Sequence, residues 1–363
     1  METKKRLDYF DMAKGFGVIF VLLGHLQGDT IFGYSPYILP LCTWIFSFHM
    51  PLFFLISGML MNFKKDTEKE FKLLCKKRFK AIMIPYFWFS LFYISVVFYA
   101  LFFGGTIAPE TLYVNLWYVF SMYGMNVLWF LPTLFLGELL FLFLTKKLSA
   151  KKSVLVIAVL TALASVASWY LQQLTYDTPL KERLHEFSLV LLRPVLACTF
   201  ICIGYYAFYL FKQHEKLCIK ELLLGIILIA ADIVLTHVNN GVDFRSLVQK
   251  NLFFYYICAL SGSFGIILIC KNMKPLKLVQ YWGVNSLIFM AVHNNRTVLY
   301  GSMQLAMYLN QFITRARGYF SYLTVILVIL LYVTIMTWLI NKFFGFIVGK
   351  PSPFQIQRNK QDK

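Results

Sequence analysis

Asp11–His25 reads DMAKGFGVIFVLLGH: an acid, a lysine three residues on, then an uninterrupted apolar and glycine run that stops at a histidine. Read as a helix, the run places Lys14 and His25 eleven residues apart. At 100° per residue that is three turns plus about 20°, so both side chains share one helix face, separated by a rise of about 16.5 Å. The question that decides the fold is whether such a run lies in a soluble core or in lipid.

The surrounding composition answers it. Of 363 residues 59% are apolar and only 14% charged, with 37 phenylalanines, whereas a soluble domain carries about 25% charged residues. Outward from the first run, apolar blocks recur over about 40–62, 81–103, 127–145, 153–172, 188–211, 221–238, 251–270, 283–300 and 320–347, with the first extending over 14–34. Blocks of roughly 18 to 25 residues are the length of a helix that crosses a bilayer. In hydrocarbon every backbone polar group must be satisfied internally, which leaves helices as the spanning element here. The expectation is an all-α integral membrane bundle of about ten transmembrane helices.

The net charge of +18 raises the possibility of a nucleic-acid partner until the lysines are placed. They cluster in short loops: KKR at 4–6, KKDTEKEFKLLCKKRFK at 64–80, KKLSAKK at 146–152, KQHEKLCIK at 212–220, KNMKPLK at 271–277, and the C-terminal tail. With the N-terminus inside, each cluster falls on the cytoplasmic side, where most of the 35 lysines and arginines then lie, as the positive-inside bias requires. The charge therefore reports topology and affinity for anionic lipid, not nucleic acid. Both termini are expected to be cytoplasmic, with a transmembrane domain over 1–350 and a basic tail over 351–363. Asp8 and Asp11 are acidic where a signal peptide is basic, and no A-x-A site follows, so the first block is read as a span. The segment 110–126, aromatic and uncharged after Glu110, is expected at the outer interface. Seven cysteines without a CxxC pair suggest neither a disulfide framework nor a metal site.

Ionisable groups inside spans are costly and mark function. The candidates are Lys14, His25, His49, Glu138, Arg193, Asp232, His293 and Arg296. Counting along the spans puts His25, His49 and His293 at a similar depth, where neutral imidazoles would serve proton transfer. The plainer alternative is that each histidine bonds a neighbouring helix. Glu138, Arg193 and Asp232 have the equally plain alternative of charges paired within the bundle, and Lys77, Arg78 and Lys80 that of a topology anchor.

RLDYFDMAKGFGVIFVLLGHL followed by FHMPLFFLISG resembles the acyltransferase 3 family of integral membrane acyltransferases, especially its fucose 4-O-acetylase-like branch, which O-acetylates sugars. KKRFKAIMIPYF, LWFLPTLF and GVNSLIFMAVH are similar to further segments of that family in the same order. The resemblance implies a ten-span bundle in the bacterial plasma (inner) membrane that moves acetyl from cytoplasmic acetyl-CoA to a hydroxyl of a cell-surface or lipid-linked glycan. It places the essential histidine on His25 and the family's basic position on Lys14, with His49 and His293 as further catalytic candidates. This chain has Lys14 where members often have arginine, and a lysine meets phosphate or carbonyl as a point charge without the bidentate fork. The family's R-x-x-R pair would fall on Arg78 and Ala81, leaving Lys80 as the nearest substitute. Lys14, Lys77, Arg78 and Lys80 are then the residues expected to meet the donor, with His25 acting as general base or transient acyl carrier; no metal is implied. A transporter or flippase for a glycan or acylated precursor is the rival reading, and a structural partner in glycan assembly a third.

Overall fold

The computed structural model describes residues 7–26, 39–104, 107–211, 217–310 and 317–350. The apolar blocks are helices. α1 (Asp8–His25) and α2 (Leu39–Phe63) come first, and a short turn at Asp66–Glu68 leads to α3 (Phe71–Arg78). α3 runs through a π-helical turn, Phe79–Met83, into α4 (Ile84–Phe102). Pro85 explains the widening: it has no N–H to give the Ala81 carbonyl, so the regular ladder cannot continue through this turn. α5 (Pro109–Phe120), α6 (Phe130–Lys147), α7 (Ala150–Leu171) and α8 (Pro179–Ala207) follow, then α9 (Ile219–Val238) and α10 (Leu252–Lys271). α11 (Lys277–Val284), α12 (Ser286–Val292), α13 (Arg296–Asn310) and α14 (Arg317–Phe343) complete the series.

Eight helical stretches among the described residues are long and apolar enough to cross a membrane, and they coincide with eight of the expected blocks. The protein is an all-α, multi-pass membrane bundle. α1 is less apolar over its described length because Asp8, Asp11 and Lys14 all lie in it; residues 27–34, assigned to the same span, are outside the described residues, as is the tail over 351–363.

The block 283–300 is corrected. It is not one helix but parts of three, with breaks at Asn285 and at His293–Asn295. Asn285 leaves the helical region (φ −108, ψ 24) while its side-chain amide donates to the Tyr281 carbonyl. Asn295 caps α13 through its side-chain oxygen, which accepts from the Val298 amide at 3.2 Å. Asparagine side chains bond nearby backbone and so compete with a continuing helix.

The chain forms two compact units. The first comprises Met1–Leu52, Gln213–Gly241 and Phe253–Phe344; the second comprises Phe53–Lys212, Val242–Leu252 and Gly345–Lys363. In the first, α1 lies against α11 with backbones in direct contact, because Gly15 and Gly283 have no side chains: a Cβ on either would strike the carbonyl oxygen of Val279 or Asp11. Small residues permit such approaches, and in lipid close packing is what holds helices together. Ser47 on α2 donates to the buried Asp232 carboxylate of α9 at 3.1 Å, and Ser263 on α10 donates to the Phe48 carbonyl at 3.3 Å.

In the second unit, Gly58 on α2 and Gly204 on α8 form a similar crossing against Ile201 and Leu55. Thr161 and Thr199 join α7 to α8 by a hydroxyl pair at 2.5 Å. α5 leaves Tyr113 and Phe120 largely exposed, as an aromatic interfacial helix would.

Candidate active site

The first unit holds the four residues singled out for chemistry. Lys14 sits in the N-terminal half of α1 and is ion-paired with Asp11, one helical turn earlier, at 2.8 Å. Asp11 is buried, and its backbone carbonyl forms the α1/α11 crossing. The lysine is thus a positioned cation, held on its own helix at the point where the two backbones touch. The sequence shows the i,i+3 spacing of Asp11 and Lys14, a spacing at which opposite charges meet on a helix.

His25 ends α1 and is half-buried. Two donors fix this end of the helix: Cys42 Sγ at 3.7 Å and Tyr322 Oη at 3.3 Å both point to the Leu23 carbonyl. The His25 ring faces the His293 ring with centroids 5.3 Å apart and planes tilted by 42°. Two residues some 270 positions apart in sequence thereby form one imidazole pair.

His293 is buried and occupies the break between α12 and α13. Its Nδ1 lies 2.7 Å from the Met290 carbonyl oxygen. A carbonyl can only accept, so Nδ1 carries the proton and donates, which leaves Nε2 as a bare lone pair. That Nε2 is fully buried and has no hydrogen-bond partner among the described residues. Unsatisfied buried acceptors are rare and point to a partner supplied from elsewhere.

His49 is placed differently. Its Nδ1 bonds the Ile45 carbonyl of its own helix at 2.8 Å, and its ring stands edge-on to Phe46 at 5.1 Å. The Phe46 ring also packs against Gly24 of α1, where a Cβ would lie 3.1 Å from it. None of these contacts joins His49 to the His25–His293 pair. Counting residues along a span gives no azimuth: the rings of His25 and His293 face each other, and the His49 Nδ1 is bonded to the backbone of α2. Arg296 begins α13.

In the second unit the basic cluster is divided in role. Arg78 places Nη2 2.7 Å from Asp66 and Nε 3.0 Å from Glu138, and both acids are buried. Lys69 shares Asp66 at 2.6 Å, and Ser57 donates to Glu138. Arg78 is therefore the tie between the 66–68 turn, α3 and α6. Lys77 and Lys80 are exposed, Lys80 within the π-helical turn. Glu138, expected as a possible internal pair, is one; Asp232 is held by Ser47. Arg193 is fully buried and donates from Nε to the Arg245 carbonyl at 2.6 Å and from Nη1 to the Tyr123 carbonyl at 3.2 Å. Among the described residues no group of His, Cys, Asp or Glu has the arrangement of a metal site.

A family model described as an acyltransferase domain matches residues 7–342, nearly the whole chain. No curated protein and no solved structure matches it. The chain belongs to this acyltransferase family.

Proposed function

We propose that this membrane acyltransferase moves acetyl from cytoplasmic acetyl-CoA to a hydroxyl of a cell-surface or lipid-linked glycan, as a sugar O-acetylase of the bacterial inner membrane. The observation that carries the reading is the His25–His293 pair, with one nitrogen of His293 buried, unprotonated and awaiting a donor.

In this reading His25 is the general base. It takes the proton of the acceptor hydroxyl as that oxygen forms its bond to the thioester carbonyl carbon; the tetrahedral adduct then collapses, the carbon–sulfur bond breaks, and the departing thiolate takes the proton back from the imidazolium. The imidazolium exists only during this interval. Its N–H would find an acceptor in the His293 lone pair, and a neutral acceptor stabilises the cation without adding a second positive charge. Lys14, paired but not neutralised in reach, supplies a cation on the same face of α1 for the thioester carbonyl or the donor's phosphates.

The donor's nucleotide carries phosphates, which require cations outside the hydrocarbon. Lys77 and Lys80 are exposed on the second unit and suit that task, with Arg78 bracing the turn that presents them. The test uses purified protein in lipid nanodiscs with radiolabelled acetyl-CoA and envelope glycan. His25→Ala should insert and fold as wild type yet transfer no label. Full transfer by that variant would remove the imidazole from the chemistry; glycan movement across the membrane without CoA release would make the protein a transporter.

A further inference from the structure

The second unit contains a cavity of about 700 Å³ between the C-terminal end of α7 and the loop 247–252. We propose that this cavity binds the sugar acceptor as an uncharged oligosaccharide segment. The inference rests on the acyl-transfer reading above and adds to it the place where the acceptor is held and the chemical class it belongs to.

The lining argues for a saccharide. It offers side-chain amides from Gln172, Gln173 and Gln249, the hydroxyl of Ser165, the ammonium of Lys250 and the indole of Trp169, and no carboxylate. Amides supply donor and acceptor together, matching hydroxyls that do both, while the apolar face of a pyranose ring suits an aromatic plane. A volume of 700 Å³ lies within the range of small-ligand sites. With the N-terminus inside, α7 runs outward and its C-terminal end is on the external side, where surface glycans are.

The loop is held on three sides by hydrogen bonds and ring contacts. Asp243 and Val248 form an antiparallel bridge with both hydrogen bonds at 2.9 Å. The Asp243 carboxylate accepts from the amides of Arg245 at 2.9 Å and Ser246 at 3.1 Å and from the Ser246 hydroxyl at 2.6 Å. From below, Arg193 grips the Arg245 carbonyl while its guanidinium lies over the rings of Tyr123 at 4.6 Å and Trp129 at 5.4 Å. From α7, Gln172 donates to the Ser246 carbonyl at 3.1 Å and Ser168 to Gln249 at 3.3 Å. Leu247 and Lys250 are left-handed (φ 56 and 57), a conformation unfavourable for residues with a Cβ. Both line the cavity, and strain retained at a cavity wall is a mark of a ligand site. The bland account of Trp169 is that of an interfacial membrane anchor.

Cells supply the native acceptor whatever its identity. Base-released acetate from envelope glycan is measured in cells carrying wild type, Trp169→Ala, Trp169→Phe, Gln249→Leu or His25→Ala, normalised to protein inserted, and donor KM is read from acetyl-CoA turnover by the purified variants. Trp169→Ala and Gln249→Leu should lower glycan acetate at least tenfold without changing donor KM, and Trp169→Phe, which keeps an aromatic face, should restore most of it. Base-released acetate in the lipid extract identifies a lipid-linked acceptor, and acetate in the aqueous polysaccharide fraction a free one. His25-dependent acetate that survives both cavity substitutions would overturn the acceptor site and leave Trp169 an anchor while sparing the transferase reading. Wild-type cells whose acetate is independent of His25 would overturn the transferase reading itself.

Discussion

Gly283→Ala tests whether the α1/α11 crossing sets the reach of His25. A Cβ at position 283 would fall on the Asp11 carbonyl oxygen and within 2.8 Å of the Gly15 amide nitrogen. Non-bonded atoms are comfortable at about 3.5–4.0 Å, so relieving the contact with the Asp11 oxygen requires the two helices to part by about 2 Å. Overpacking of this kind costs about 1–3 kcal/mol. The catalytic consequence should exceed the stability one, because displacing a reacting group by about 1 Å lowers rates by about 10²-fold, and the same shift disturbs Asp11, the partner of Lys14. The assay is acetyl transfer by purified protein in nanodiscs, with folding followed by thermal denaturation. Gly283→Ala should remain folded with a lowered Tm and a kcat/KM reduced about 10²-fold. Gly301→Ala is the control: no atom lies within 4 Å of its added Cβ, and alanine gains about 1 kcal/mol over glycine in a helix, so transfer should be unchanged. Equal rates for the two variants would refute the argument that this backbone contact fixes the catalytic helix.

Three further expectations concern other parts of the molecule. His293→Ala should lower kcat while leaving donor KM near wild type, and more severely than His49→Ala, because the His293 ring faces that of His25; steady-state kinetics decide it, and equal effects would count against the pair. Lys77→Gln with Lys80→Gln should raise donor KM without unfolding the protein, whereas Arg78→Gln should destabilise it by about 3–5 kcal/mol, since it leaves the buried Glu138 without its cation and Asp66 with Lys69 alone; chemical denaturation and donor KM separate them, and an unchanged donor KM in the lysine double variant would leave that loop a topology anchor. A single cysteine engineered within 146–152 should resist a membrane-impermeant thiol reagent applied to intact cells, and labelling from outside would invert the proposed topology.

The bundle was readable from the chain because lipid leaves the backbone so few options. Once the apolar blocks are spans, helix follows from hydrogen-bond satisfaction and needs no propensity argument. Position along each helix was readable too, at 1.5 Å per residue. Azimuth was not, because a mean hydropathy that is high all round a helix leaves no polar face to orient it, so the facing of His25 and His293 could not be read from their places along the chain. The partner of Arg78 was equally hidden: Asp66 lies in a loop full of charges, and nothing in the local pattern separates the one buried acid from its solvated neighbours. Arg193 was visible as an anomaly, but its partners are backbone carbonyls, which sequence does not distinguish.

The break at His293 is where the two kinds of reading meet. If 283–300 crosses hydrophobic depth, ending one helix and starting another there leaves carbonyls and amides that lipid cannot satisfy, and such backbone is tolerated only inside protein or beside water. The chain meets that demand with asparagine: Asn295 caps the helix that follows and binds Tyr332 through its amide at 3.3 Å, while Asn285 receives the Asn341 amide at 2.9 Å. These bonds secure the two ends of α12 and leave His293 at its margin, where its Nδ1 is committed to Met290 and its Nε2 to no group among the described residues. A continuous helix would have been the simpler way to cross. The asparagines that interrupt it set an imidazole whose Nε2 has no partner among the described residues against the end of α1, the arrangement on which the proposed proton transfer rests.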